Sequence, residues 1–121
     1  VKEQLISFKT AKLAKEKGFE EFCAYYYNIK TKTLKIHMYD DNPNVISLQT
    51  SKNAALIISA PTQSLLQKWL RVKHNIHSDS FFNGNNFTYA INCHKDWKSG
   101  FKTYEQALGK GLQAALKLIT N

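Results

Sequence analysis

Two short stretches hold most of the side chains with chemical potential. The first, "WLRVKHNIHSDS" (69–80), sets His74 and His77 three apart and follows them with Ser78, Asp79 and Ser80. Two histidines on one helical face could hold a metal ion. Here a helix ends between or near them, and no Cys or acidic residue stands at zinc spacing, so no metal site is read. His74 is placed at the helix end, where partial positive charge suits the dipole, and His77 on an outward strand position. Ser, His and Asp adjacent in sequence do not make a triad, because a nucleophile needs a base in reach and a third group to orient that base. The chain has no nucleophile elbow, no glycine-rich phosphate loop and no paired carboxylates in an evident pocket, and Asp40-Asp41 reads as loop. A non-enzymatic protein without a cofactor is expected.

The second stretch, "HKDWKSGFK" (94–102), is polar, glycine-containing and basic, and it reads as a loop joining a strand to a helix. Trp97 among Lys95, Lys98 and Lys102 has the composition of a segment that stacks on a base or holds a phosphate. The same tryptophan folded back as a lid on the core fits equally well. Further walls for a small anionic ligand are the polar, ring-bearing faces of two predicted hairpins: Lys35, His37 and Tyr39 on one, and His77, Asp79, Thr88, Asn92 and His94 on the other. Trp69, by contrast, sits in an apolar arc and reads as core.

Charge points the same way. Seventeen Lys and Arg against nine Asp and Glu give a formal net charge of +8, which favours anionic partners. Arg71 is the only arginine. Arginine is the residue that forks onto guanine and phosphate, so a lysine surface is a weaker sign of nucleic-acid recognition.

The elements that must position these residues follow from pattern. Residues 7–18 read as a helix capped by Ser7 and ended by Gly18 in the left-handed conformation, with Phe19 folding back. "FCAYYYNIKTKTLKIHMYD" (22–40) reads as two strands around a Lys-Thr turn, with Leu34, Ile36 and Met38 alternating against Lys35, His37 and Tyr39. "DNPN" (41–44) is loop, and "VISLQT" (45–50) and "ALIIS" (55–59) supply one or two further strands. A helix from about Thr62 to Lys73 follows Pro61; Leu65, Leu66, Trp69 and Leu70 span about 140° of it, with Ser64, Lys68 and Arg71 opposite. "NIHSDSF" (75–81) and "FTYAINCH" (87–94) flank Asn-Gly turn chemistry, with Phe87, Tyr89, Ile91 and Cys93 alternating against Thr88, Ala90, Asn92 and His94. A last helix over 103–119 opens with a Thr-x-x-Gln capping box and carries an apolar stripe centred on Gly111 and Ala115, small residues that permit a close neighbour.

The sum is a single α+β domain over 1–121. Three helices, in the order α-ββ(β)-α-ββ-α, pack mainly on one face of an antiparallel sheet made of two hairpins plus one or two short strands. At 43% hydrophobic residues it can bury a core without metal or disulfide staples. Cys23 and Cys93 lack CxxC spacing and fall among alternating apolar residues, so reduced, buried thiols are expected, with a disulfide possible only if their strands are neighbours. No apolar run is long enough to span a membrane and no signal-peptide pattern opens the chain, which implies a cytoplasmic setting.

The pattern "PTQSLLQKWLR" (61–71), "HNIH" (74–77) and "YEQALGKGLQAALKLI" (104–119), with "ISFKTAKLAKEKGF" (6–19), resembles a widespread family of small proteins encoded by bacteriophages and mobile elements of gut Bacteroidota. Pro61, Thr62, Gln63, Trp69, Leu70, His74 and Ile76 carry the resemblance, and residues 40–55 match it poorly, as an insertion would. The family brings no assigned catalytic or binding residues. What the resemblance implies is a phage setting, in the host-cell cytoplasm, where small α+β proteins without enzyme motifs often counter host defences. Some of these are oligomeric sponges that sequester nucleotide signals. The leading expectation is therefore a homo-oligomeric counter-defence protein that binds a nucleotide-like anion. Binding of single-stranded or structured nucleic acid is the second reading, and inhibition of a host protein by direct contact the third.

Overall fold

The computed structural model describes residues 4–21, 23–36, 57–92 and 95–119. Three helices and two three-stranded antiparallel sheets make an α+β fold, in the order α1 (Phe8–Glu16), β1 (Tyr25–Asn28), β2 (Leu34–Ile36), β3 (Ile57–Ser59), α2 (Gln63–His74), β4 (Ser78–Phe82), β5 (Phe87–Ile91), β6 (Asp96–Phe101) and α3 (Tyr104–Lys117). The contacts cluster into two units, one of residues Leu5–Pro61 and one of Thr62–Asn121 with Val1–Gln4.

In the first unit each expected stop signal acts. Ser7 Oγ accepts the Thr10 N–H at the start of α1. Gly18 takes φ +98°, and the Phe19 N–H reaches back to the Ala14 carbonyl while the Gly18 N–H reaches Lys15. This double closure satisfies carbonyls that the helix end would otherwise leave open, and it buries Phe19. The hairpin turn is held by Asn28, whose Oδ1 accepts the N–H groups of Lys30 and Thr31, while Lys32 adopts the left-handed region. The sheet order is β2-β1-β3. Tyr27 stands edge-on to Phe8 at 5.5 Å and donates its hydroxyl to the Ile6 carbonyl, tying β1 to the entry of α1. Burial raises the Tyr27 phenol above its ordinary pKa.

The second unit is built on a sheet ordered β4-β5-β6 with α3 across one face and α2 beside α3. α2 starts on the Thr62 hydroxyl, which accepts the Leu65 N–H, and ends on Asn75 in the left-handed conformation. Leu66, Trp69 and Leu70 are buried on it, whereas Lys68 and Arg71 are exposed. α3 opens on Thr103, whose hydroxyl accepts the Gln106 N–H, while Gln106 Oε1 reaches past the cap to accept the N–H of the preceding residue, Lys102. Its stripe of Ala107, Leu108, Gly111, Leu112, Ala115 and Leu116 is buried.

The strands depart from expectation in two ways. They divide into two sheets, because β3 pairs with β1 and the long α2 follows it before β4 begins. The stretch 94–102, expected as a loop, contains the six-residue strand β6. Lysines and a glycine disguise it; the backbone tolerates both because β6 is an edge strand and Gly100, at φ +100°, sits in a bulge opposite Thr88.

Gly111 sets the distance between helix and sheet. A Cβ there would lie 2.9 Å from the Tyr89 Cβ and 3.1 Å from the Ser78 Oγ. That hydroxyl is buried and has no hydrogen-bond partner among the described residues. Alanine at 111 gains about 1 kcal/mol of helix propensity but must force the layers apart, so Gly111→Ala is expected to lose about 1–2 kcal/mol net in denaturant unfolding. Ser78→Ala removes the orphaned hydroxyl without adding volume and is expected to gain about 1 kcal/mol in the same measurement.

Candidate functional site

Strand pairing decides which predicted site residues can act together. Ser80 donates its hydroxyl to the Tyr104 carbonyl, so Ser78, Ser80 and the residues opposite them, Ile91 and Tyr89, face α3. Asp79, Phe81, Thr88 and Ala90 therefore form the other face, and Trp97, the partner of Ala90 on β6, joins them. Thr88 and Ala90 are buried, and they make a low floor between two larger rings. Trp97 is 60% exposed and Phe81 38%. Trp97 stands away from the core instead of closing over it. The two Cα positions lie two strands apart laterally and two residues apart along the sheet, about 12 Å.

Beside Trp97 the face is polar and pre-ordered. Thr88 Oγ1 and Ser99 Oγ are 2.8 Å apart, and Asn83 Nδ2 donates to Thr88 Oγ1 at 2.9 Å. Asn83 Oδ1 accepts the N–H groups of Asn85 and Asn86, and Asn86 Oδ1 accepts the Gly100 N–H. The hairpin loop is thus clamped to the bulge of β6, and the strand that carries Trp97 is held along its length.

The predicted lysines fall differently. Lys98 pairs with Tyr89 and points to the α3 side, so alternation separates it from Trp97. Lys95 precedes β6 and Lys102 follows it; with Lys98, all three are exposed at the β6 edge. On the α3 side, burial and then the nearby Asp96 raise the Tyr89 phenol above its ordinary pKa. Lys35 is exposed on β2, opposite Tyr26 in the first unit. His37, Tyr39, Cys93 and His94 lie outside the described residues.

His77 and Asn92 come together at one end of the second sheet. Asn92, at φ +50°, donates its N–H to the His77 carbonyl at 2.7 Å and accepts the His77 N–H on Oδ1 at 2.9 Å. Its side-chain oxygen closes the strand end by accepting the His77 N–H. A hollow of about 350 Å³ opens there, lined by His74, Asn75, Ile76, Asn92, Leu118 and Ile119. His74 is the last residue of α2 and lies edge-on to Trp69 at 4.8 Å. Among the described residues no group of three or more His, Cys, Asp or Glu side chains gathers as a metal site would require.

Sequence reasoning missed Phe81, Ser99 and the Asn83–Asn86 clamp as parts of the Trp97 face. Reading 96–101 as a third strand, in register with 87–91, would have found them. No helix among the described residues is long and apolar enough to cross a membrane. No family model, curated protein or solved structure matches the chain.

Two outcomes test this geometry. Asn92→Ala loses both the left-handed preference and the bond to His77, and is expected to cost about 1–2 kcal/mol in denaturant unfolding. Cys23 tests the burial of the first unit. Desolvation, with the charge of Glu21, pushes its thiol up from 9.0 to about 12. The stability this thiol contributes is complete below pH 9 and is lost as pH rises toward 12, so unfolding midpoints above pH 9 should fall more steeply for the native chain than for Cys23→Ala.

Proposed function

We propose that the protein is a non-enzymatic binder of nucleotide-like anions, and that the base stacks on Trp97 at the outer face of the β4-β5-β6 sheet. The observation that carries this reading is the exposed indole itself, 60% accessible on a strand clamped at its bulge and floored by Ala90. Leaving so large an apolar surface in water forgoes about 1.5–3 kcal/mol of burial, which a ligand ring can recover. A base stacked on such a ring contributes about 1–3 kcal/mol. The net charge of +8 draws an anion toward this surface, and the exposed Lys95 and Lys102 flank the strand. Ser99, half-buried beside Trp97 and bonded to the buried Thr88 hydroxyl, offers a hydroxyl at a base edge. In the phage setting implied by the resemblance, the role we infer is sequestration of a nucleotide signal as a counter to host defence.

A second reading has its own support. Lys95, Lys98 and Lys102 are exposed along the β6 edge, with Lys98 on the face opposite Trp97, and a line of cations along one edge suits the backbone of an unpaired nucleic-acid strand. Calorimetric titration with AMP, cyclic di-AMP and an oligothymidylate, at low and high salt, separates the two. The leading reading expects a small nucleotide to bind with shallow salt dependence. It also expects Trp97→Ala to weaken that binding at least about tenfold, with unfolding within about 0.5 kcal/mol of the native chain. Binding of the oligonucleotide alone, falling steeply with salt, transfers the site to the second reading. No nucleotide retained under any condition, or Trp97→Ala binding like the native chain, overturns the Trp97 site.

A further inference from the structure

The two edges of the β4-β5-β6 sheet are built differently. The β6 edge carries Lys98, is flanked by Lys95 and Lys102, and is bent by the bulge at Gly100. Cations and bulges of this kind keep a sheet edge from pairing with another strand. The β4 edge, Ser78–Phe82, has neither. None of the chain's 17 Lys and Arg residues falls in it, it contains no proline or glycine, and its pairing with β5 runs without a register shift.

Hydrogen bonds define which β4 groups face outward. The His77 carbonyl accepts from Asn92 and the Asn83 N–H donates to Asn86, so the odd-numbered residues turn their backbone groups toward β5. The even-numbered residues turn theirs away, and the Ser78 carbonyl accordingly accepts from Gln67 Nε2 of α2. The N–H and C=O groups of Ser80 and Phe82 project from the same edge with no partner among the described residues. Phe82 itself is 59% exposed.

We propose that this edge pairs with the β4 edge of a second copy of the chain, antiparallel, about a two-fold axis beside Phe81. That register is the one the observations select. It sets Ser80 opposite Phe82 of the second copy, so each such pair exchanges both backbone hydrogen bonds and the projecting groups of both residues are used. It leaves the Ser78 carbonyl with Gln67. It brings the two Phe81 side chains together as a close cross-strand pair. Asp79 faces Asn83 of the second copy, so no like charges meet. An axis one residue earlier, at Ser80, would instead require the Ser78 carbonyl to leave Gln67. Strand addition by an identical edge needs no other partner chemistry, and because Ser78–Phe82 contains no Lys or Arg, pairing two copies of it brings no cations of the strand together in a chain of charge +8. The result is a continuous sheet, β6-β5-β4 followed by β4-β5-β6 of the second copy, with both Trp97 faces on one side.

Sedimentation equilibrium of the full chain, from micromolar to millimolar concentration, reads the association directly. The expected species has twice the 13.9 kDa chain mass. Phe82→Lys places a cation at an already exposed position and is expected to yield a folded monomer. Amide exchange of the native chain supplies a readout that does not depend on any variant: the Ser80 and Phe82 N–H groups should become protected as concentration rises. A chain that stays monomeric throughout overturns the proposal, including one that captures an extended peptide from another protein instead. A dimer whose Ser80 and Phe82 amides exchange as fast as in dilute solution also overturns it.

Discussion

The second unit depends on one close approach. α3 lies against β4 and β5 at a distance that only glycine at 111 permits, with the Tyr89 Cβ within 2.9 Å of where a side chain would begin. Everything on the far side of the sheet follows from that contact. It commits Ser78, Ser80, Tyr89 and Ile91 to the helix, and because strand side chains alternate, it commits Phe81, Thr88, Ala90 and Trp97 to the opposite face. The small side chain of Ser78 is part of the same seat. Its hydroxyl, without a partner among the described residues, is a cost of a size that the tight packing of the apolar stripe offsets.

Much of this was legible in the sequence, and the limits are physical. Ser7, Thr62 and Thr103 announce helix starts because few other residues can accept an orphaned N–H there. Gly18 announces a stop, and the small residues of α3 a close neighbour. Trp69 was readable as core from its place in an apolar arc. β6 was not readable, because the signals that protect an edge strand, lysines and a bulge glycine, are also the signals of a loop. That single ambiguity concealed which residues share a face with Trp97. As a loop, 94–102 gathers Trp97 and its lysines into one cluster; as a strand, it puts Trp97 on one face and Lys98 on the other.

The same alternation changes what the histidines mean. The sequence places them together, whereas the fold uses them separately. His74 ends α2 against Trp69, and His77 begins the sheet on hydrogen bonds to Asn92. Both positions are junctions where a helix or strand must end, and Asn75 and Asn92 hold them in left-handed backbone. Their chemistry is that of chain reversal, and the polar density of "HNIHSDS" reflects how many backbone groups must be satisfied there.

Exposed aromatic surface is the feature that packing alone leaves without a role. On the helix side of the sheet the small residues are buried and the rings pair with one another, Tyr89 with Phe101 at 5.9 Å and the exposed Phe82 with Phe87 at 5.3 Å. On the outer face the indole of Trp97 has no ring partner among the described residues. The two edges of the sheet differ in charge: β4 carries no lysine or arginine, whereas β6 carries Lys98 and is flanked by Lys95 and Lys102. Lysines at an edge discourage pairing with another strand, and the same positive charge suits the anion proposed for the Trp97 face. The proposed ligand and the proposed strand pairing therefore use different edges of one small sheet and do not compete.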